Sequence, residues 1–553
     1  MWVLLPLARG AARLAPGRGE PLLGAVLLRC LMPDWVLLRP RSPLRRLAWA
    51  EQAVALYRAH PHHRNALARA HAVHAEALLA LDRNEEALTA VDASLAVPDV
   101  RRSEREAAFL LQARAVALLH SDRAEEALEP ARASAEAYRD GPPPARRDRA
   151  LGTLPGALRT YALTLGELGH TEQSVLVYQE AADLLRSRPS GRTLLVGPRV
   201  LVELIGGLRA LGRYEEALAL GREAREGLGR EMDFAFPWAV PALRVRLLVD
   251  LAHCHLATGD QETARTIAQE AVDAARKPGP GTGWLAVALE CLSETGGHED
   301  TGTLRELGEL YTGLAAEQPE LYDSLLGDTL DRLAHCLRRD GADAEAVAVT
   351  ERAVAAYRRA VAREPAHEPE LSRVLGNLSI RQADSGQAES AVTSAREAVA
   401  LARRLAETDW ETYHPETARR LRVLGQALGD IGDFTEAGAC YEEAEGILDE
   451  HADQPGVETQ LADVRGQLAD ALRARAAAAD DPDDAVVALR ALLDLSRRTD
   501  AANVLTQCAK GFHQAWSEAV VEAWERATGE GYPTSFPYRP STDRGRGSNP
   551  AAR

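Results

Sequence analysis

The sequence predicts an all-α protein built from repeated antiparallel helix pairs. Ala, Leu, Arg and Glu dominate the chain and aromatic residues make up only 5% of it, so the aromatic and β-branched runs typical of strands are scarce. The 553 residues also exceed the ~250–300 at which one compact core stops growing. We therefore expect several domains or a repeat array, and one recurring pattern favours the array.

The clearest copy of this pattern is Leu201–Leu228, which reads as two short amphipathic helices joined by a tight turn. Gly212 ends the first helix, because glycine reaches backbone angles that continue neither helix nor strand. Glu215 and Glu216 then lie in the first turn of the second helix, where the helix dipole favours carboxylates. Apolar residues recur at the spacing of one helix face, at Leu201, Leu204, Ile205 and Leu208.

The same turn recurs along the chain, about 40 to 48 residues apart. Copies occur at Leu81–Leu88, Ser121–Leu128, Leu168–Val175, Leu211–Leu218, Thr258–Arg265, Asp340–Val347, Ser385–Val392, Ile431–Gly438 and, more divergently, Asp480–Val487. One gap is about 82 residues long, and its midpoint predicts a hidden turn near Gly296.

The cysteines agree with this register. Cys254, Cys291 and Cys336 each lie five residues before the turn glycine of their unit. The other units have small residues there, apart from Arg381, so we expect this position to be a packing site in the core. None of the six cysteines forms a CxxC pair; a metal or redox cluster is therefore the less favoured alternative, and a cytoplasmic location is expected.

The pattern resembles the tetratricopeptide repeat over roughly residues 45 to 498. The residues that carry the resemblance are Leu204, Ile205, Leu208, Gly212, Tyr214, Ala217 and Ala224, and in a second copy Leu424, Gly425, Leu428, Gly432, Phe434, Ala437, Tyr441 and Ala444. The standard repeat is ~34 residues long, so these repeats have lengthened helices. The resemblance implies a right-handed superhelical solenoid of about nine or ten helix pairs with an extended concave groove.

We divide the chain into four parts. Residues 1–43 form an extension, which is disordered or results from a start set too early, with Met32 as the true start; a membrane-surface anchor is the alternative. Residues 44–498 form the array. Residues 499–528 form a capping helix with one apolar stripe, for which a dimer or partner contact is the alternative. Residues 529–553 form a disordered tail. The stripe consists of Phe512, Trp516, Val520 and Trp524.

Little in the sequence points to chemistry. There is no GxxxxGK[ST] loop and no HExxH or GxSxG motif, so we predict no enzyme and no cofactor. The net charge of −17 disfavours nucleic-acid binding, and no apolar run reaches the ~20 residues of a membrane span. A histidine patch at residues 60–74 lacks a convincing ligand set, and the aromatic stretch with Phe234, Phe236 and Trp238 is either repeat packing or a ligand-contacting loop.

The strongest functional signal is arginine on the first helix of each pair. In tetratricopeptide arrays these helices line the concave groove where partner peptides lie. Helical phase places ten arginines there, including Arg69, Arg338 and Arg339. We take seven of the ten as candidates: Arg159, Arg199, Arg209, Arg246, Arg373, Arg419 and Arg422. They would attract an acidic peptide or a C-terminal carboxylate, unless they simply pair with neighbouring acids.

The resemblance therefore implies an interaction scaffold that binds a peptide or protein segment without catalysis. The alternative is a ligand- or peptide-sensing regulatory module. Similar arrays form the sensor halves of bacterial signalling proteins. This sequence has no ATPase loop and no convincing DNA-reading helix-turn-helix, so such a module would act through a separate effector protein.

Overall fold

The structure is a computed structural model that describes residues 4–31, 43–100, 103–141, 153–187, 196–229, 240–278, 281–295, 300–499 and 502–534. All regular secondary structure within these ranges is helical. The chain divides into two compact units, Met1–Gly297 and His298–Arg553. Within each unit, helices pack against their neighbours in sequence, as expected for stacked hairpins.

The helices of the first unit are α1 Leu4–Leu14, α2 Pro16–Leu31, α3 Pro43–Arg58, α4 Arg64–Leu79, α5 Asn84–Leu95, α6 Glu104–Leu119, α7 Ala124–Asp140, α8 Leu154–Glu167, α9 Thr171–Ser187, α10 Val196–Ala210, α11 Tyr214–Gly227, α12 Val240–Ala257, α13 Gln261–Ala275 and α14 Thr282–Thr295. The pairs α4/α5, α6/α7, α8/α9, α10/α11 and α12/α13 are the predicted hairpins.

The second unit contains α15 Thr301–Glu317, α16 Pro319–Arg339, α17 Asp343–Arg363, a short 3₁₀ turn Pro365–His367, α18 Glu368–Asp384, α19 Ala388–Thr408, α20 Trp410–Asp430, α21 Phe434–Glu450, α22 Val457–Ala478, α23 Pro482–Arg498, α24 Ala502–Gln514 and α25 Glu518–Thr528. Here the hairpins are α16/α17, α18/α19, α20/α21 and α22/α23.

The predicted turns share one backbone geometry. Gly212 has a φ of 72°, and the N–H of Arg213 donates to the Leu208 carbonyl at 2.9 Å. This bond closes a helix end whose carbonyls otherwise lack partners. Positive φ and the same bond recur at Asp82, Asp122, Gly169, Gly259, Gly341, Gly386 and Gly432. Glycine adopts this conformation readily, and aspartate and asparagine do so less easily, which is why the turns are recognisable in the sequence.

Small residues let the two helices of a pair approach closely. A Cβ added to Gly425 would lie 2.8 Å from the Tyr441 ring, and one added to Gly327 would lie 2.6 Å from the Tyr357 ring. The small positions five residues before the turns are buried as well, except the half-buried Gly207; Cys254 and Cys336 are at 0% exposure. These cysteines occupy the packing positions that the sequence register indicates.

The N-terminal segment differs from the expected disordered extension, because residues 4–31 form two helices. Leu27 and Leu31 of α2 are buried in a core with α3, α4 and α5. A Cβ on Gly24 would lie 2.8 Å from the Tyr57 ring of α3, which repeats the glycine–tyrosine contact of the later pairs. The helix α2 thus pairs with α3 as the first helix of an additional hairpin.

The C-terminal cap consists of two helices instead of the single predicted one. The Ser517 side chain accepts a hydrogen bond from the Val520 N–H and starts α25 as an N-cap. Phe512 and Trp524 are buried with ring centroids 5.0 Å apart, whereas Trp516 lies in the break and is 61% exposed. The predicted stripe is therefore wrong at Trp516, since the helix ends before it.

The all-α prediction of antiparallel helix pairs is confirmed. Two features lie outside the described residues: the hidden turn near Gly296, and the aromatic stretch with Phe234, Phe236 and Trp238. The predicted tail is described only up to residue 534. In the part of the chain that is described, no helix is both long and apolar enough to cross a bilayer.

Candidate binding surface on the first helices

All seven candidate arginines lie on the first helices of their pairs. In the first unit they are Arg159 on α8, Arg199 and Arg209 on α10, and Arg246 on α12; in the second unit they are Arg373 on α18 and Arg419 and Arg422 on α20. We call the exposed face of these helices in each unit the first-helix surface. Their ion pairs divide the seven arginines into distinct groups.

Arg159 joins two successive first helices. Its Nη2 donates to Glu203 Oε1 on α10 at 2.5 Å, and the Tyr178 hydroxyl donates to the other carboxylate oxygen at 2.8 Å. Glu203 is only 6% exposed, so this pair is largely buried. Removing one member of a buried pair leaves an uncompensated charge. Arg159 is therefore mainly a structural residue, although its Nε is buried without a hydrogen-bond partner.

Arg209 makes an equivalent link between α10 and α12. Its Nε donates to Asp250 Oδ1 at 2.9 Å, while Arg246 approaches Asp250 Oδ2 only to 4.0 Å. Burial raises the pKa of Asp250, and the two nearby arginines oppose that rise. Asp250 Oδ2 is buried without a hydrogen bond. Arg209 thus forms a hydrogen-bonded ion pair with Asp250, whereas Arg246 makes only a long ion pair with it.

In the second unit, Arg373 also forms hydrogen-bonded ion pairs. It donates to Asp331 of α16 at 2.5 Å and to Asp328 at 3.2 Å. Arg419 is exposed and pairs with Glu416 of its own helix at 2.5 Å, the kind of local contact that contributes little energy. Arg422 is half-buried, and no described residue forms a hydrogen bond or ion pair with it.

Arg199 differs most from an ordinary surface arginine. It is half-buried at the start of α10, yet no described residue is within hydrogen-bond or ion-pair distance. Burial lowers its pKa, and so does the positive charge of Arg159, while Glu203 acts in the opposite direction. A cation that has lost part of its hydration without gaining a partner is poised to bind an anion.

Each unit has a cleft on its first-helix surface. In the first unit it measures about 380 Å³ and is lined by Arg209, Tyr214, Val249, His253, Ala257, Val287, Glu290, Cys291 and Glu294. In the second unit it measures about 340 Å³ and is lined by Asp331, Arg332, His335, Arg338, Arg373, Asn377, Ile380 and Arg381. Both have enough room for a peptide side chain, and arginine is the commonest lining residue of the second.

Sequence reasoning missed the acids that hold these arginines. Glu203, Asp250 and Asp331 are all buried on first helices, where a sequence reading expects apolar residues. The signal that could have identified them is a carboxylate at a helix position where the periodicity calls for an apolar residue. A buried charge requires a partner.

The buried cysteines and the buried histidine of the histidine patch are packing residues of the core. Burial raises the pKa of Cys254 to about 11 and that of Cys291 to about 12, so neither thiol ionises readily. Burial lowers the pKa of His71 to about 4, which keeps this member of the histidine patch neutral. Across the described ranges, no group of three His, Cys, Asp or Glu side chains is arranged to hold a metal ion.

Comparisons with known proteins concern the fold. No family model and no curated protein matches the chain. Among solved structures, the apo quorum sensor NprR from B. thuringiensis is 13% identical, with 61% of this chain and 87% of that chain covered and a TM-score of 0.43. A Rap protein complexed with Competence and Sporulation Factor is 12% identical, with 70% and 98% covered and a TM-score of 0.35.

A third structure, the C-terminal part of a TPR repeat-containing protein from Cytophaga hutchinsonii, is 14% identical, with 53% of this chain and 94% of that chain covered and a TM-score of 0.29. Likenesses of this size say nothing about function. The helix pairs of this chain and the positive-φ turns that join them are nevertheless tetratricopeptide-like. The fold is thus a tetratricopeptide-like helical solenoid.

Proposed function

We propose that the protein is a non-enzymatic binding protein that holds a peptide or protein segment on its first-helix surface. The observation that carries this proposal is Arg199, a half-buried cation without a described partner. An acidic group of the bound segment would supply the missing counter-charge. Arg246 and Arg422, which are loosely held or unpaired, would make further contacts with the same class of ligand.

The paired arginines have a different role in this proposal. Arg159, Arg209 and Arg373 keep neighbouring first helices together through buried acids. They shape the surface and are not its contact residues. This division explains how a chain of net charge −17 could still attract an acidic partner, since positive charge is left uncompensated only locally.

Charge reversal tests the proposal. The variant Arg199→Glu/Arg246→Glu/Arg422→Glu changes two residues in the first unit and one in the second. Its matched control is Arg222→Glu/Arg265→Glu/Arg490→Glu, which reverses exposed arginines on the second helices α11, α13 and α23. Both variants alter the net charge equally, so any difference between them reports on the first-helix surface.

Partner capture from native cells, quantified by mass spectrometry, should fall at least tenfold in the first variant and stay at the wild-type level in the control. A tenfold loss corresponds to about 1.4 kcal/mol, a modest demand for three charge contacts. Circular dichroism and melting should be unchanged in both variants. Equal capture by both variants would place the binding surface elsewhere.

A further inference from the structure

Two histidines meet where α20 begins and α21 ends. His414 lies in the second turn of α20 and is only 9% exposed, and His451 is the residue that caps the C-terminus of α21. His414 Nδ1 and His451 Nε2 are 3.2 Å apart, the distance of a hydrogen bond. The contact links the two ends of one helical hairpin opposite its turn at Gly432.

The surroundings indicate which nitrogen donates. Gln454 Nε2 lies 3.3 Å from His451 Nδ1 and, as an amide N–H group, donates to it. His451 then carries its proton on Nε2 and donates to His414 Nδ1. Trp410 stacks on the His414 ring with centroids 3.3 Å apart. The hydrogen bond between the two histidines therefore forms when both rings are neutral.

The contact tolerates one added proton but not two. If His451 becomes protonated, its Nε2–H still donates to His414, and the Gln454 amide can turn to present its oxygen. If His414 also takes up a proton at Nδ1, two N–H groups face each other at 3.2 Å and no acceptor remains. Charge repulsion then adds to the lost hydrogen bond.

Neighbouring charges do not remove this conflict. Glu450 Oε2 of α21 lies 3.8 Å from His414 Nδ1 but is 63% exposed, so water screens its effect. Glu443 of α21 is bonded to Arg403 of α19 at 2.7 Å. Two other charged groups are engaged elsewhere, since Arg404 of α19 pairs with Glu368 and Glu416 of α20 pairs with Arg419.

We propose that His414 and His451 form a proton-sensitive latch, which holds the open ends of α20 and α21 together at neutral pH and releases them in mild acid. Burial lowers the pKa of His414, Glu450 opposes this, and His451 lowers the pKa further. A histidine with a lowered pKa in the folded state stabilises that state above its ordinary value of about 6.5. This stability is lost as the pH falls through the lowered pKa.

Melting temperature as a function of pH tests the latch on the full chain. At pH 8, His414→Asn should melt about 2–4 °C below the wild type, and the difference should shrink toward zero at pH 5. The matched control is His367→Asn, which changes a histidine beside Glu364 at 3.8 Å in the same unit. Its profile should run parallel to that of the wild type.

Fluorescence provides a local measurement. The Trp410 signal is the difference between the wild type and Trp410→Phe, and protonation of the stacked imidazole should change it between pH 7 and 5. The same difference taken in the His414→Asn background should not depend on pH. A Trp410 signal that is constant with pH, or parallel melting profiles for the wild type and His414→Asn, would overturn the proposal.

Discussion

Arg381 Nη1 donates to Asp331 Oδ1 at 2.7 Å, and both side chains are buried. Arg381 occupies the position five residues before a turn, where the other repeats have a small residue. It also donates to Thr350 Oγ1 at 2.9 Å, so one guanidinium joins α16, α17 and α18. The exception in the small-residue pattern is therefore a buried ionic link between repeats.

We expect Arg381→Ala to lower the free energy of unfolding by about 3 kcal/mol, because it leaves a buried carboxylate short of a partner. Arg338→Ala is the control: its pair with Asp384 is half-exposed, so the loss should stay below about 1 kcal/mol. Urea unfolding of both variants measures the difference. Equal losses would mean that the buried pair contributes no more than a surface pair.

Replacing glycine by alanine should have opposite effects on stability at a turn and in the middle of a helix. Gly212→Ala should destabilise the protein by roughly 1–2 kcal/mol, since its φ of 72° is unfavourable for a residue with a Cβ. Gly313→Ala lies in the middle of α15 with open space around its Cβ position, and should stabilise by about 0.5–1 kcal/mol. Thermal unfolding of the two variants should shift in opposite directions, and two shifts of the same sign would contradict the assigned turn geometry.

The N-terminal helix α2 offers another matched pair. Leu27 is 0% exposed and Leu22 is 52% exposed, although both belong to the same helix. Leu27→Ala should cost about 2–5 kcal/mol, whereas Leu22→Ala should cost less than about 0.5 kcal/mol. A chain starting at Met32 should be destabilised at least as much as Leu27→Ala, because it lacks all of α2. If the shortened chain melts like the full one, the first repeat does not need this helix.

The turns could be predicted from the sequence because their geometry is local. Gly212 and Asp82 reveal the conformation through their residue types alone. The fate of each arginine could not be predicted in this way. Arg159 lies on a first helix, but its partner Glu203 is 44 residues away on a different helix. Pairing across repeats depends on the stacking register, which no local pattern contains.

The cap and the N-terminus show the same limit. Trp516 fits an apolar stripe at four-residue spacing, yet Ser517 starts a new helix. Trp516 therefore lies between two helices and is exposed. The α2 segment contains three glycines and two prolines, which obscured its role as a first helix. Its contact between Gly24 and Tyr57 becomes evident only once the glycine–tyrosine contacts of later pairs are seen.

The closing hydrogen bond at each turn spans only five residues, and the links between repeats span about one repeat. A chain with such short-range contacts does not have to be complete before it begins to fold. During synthesis, each hairpin can close as soon as its second helix leaves the ribosome and can then dock on the one before it. Folding would thus proceed from the N-terminus, and α2 and α3 would form the platform on which the first unit is assembled.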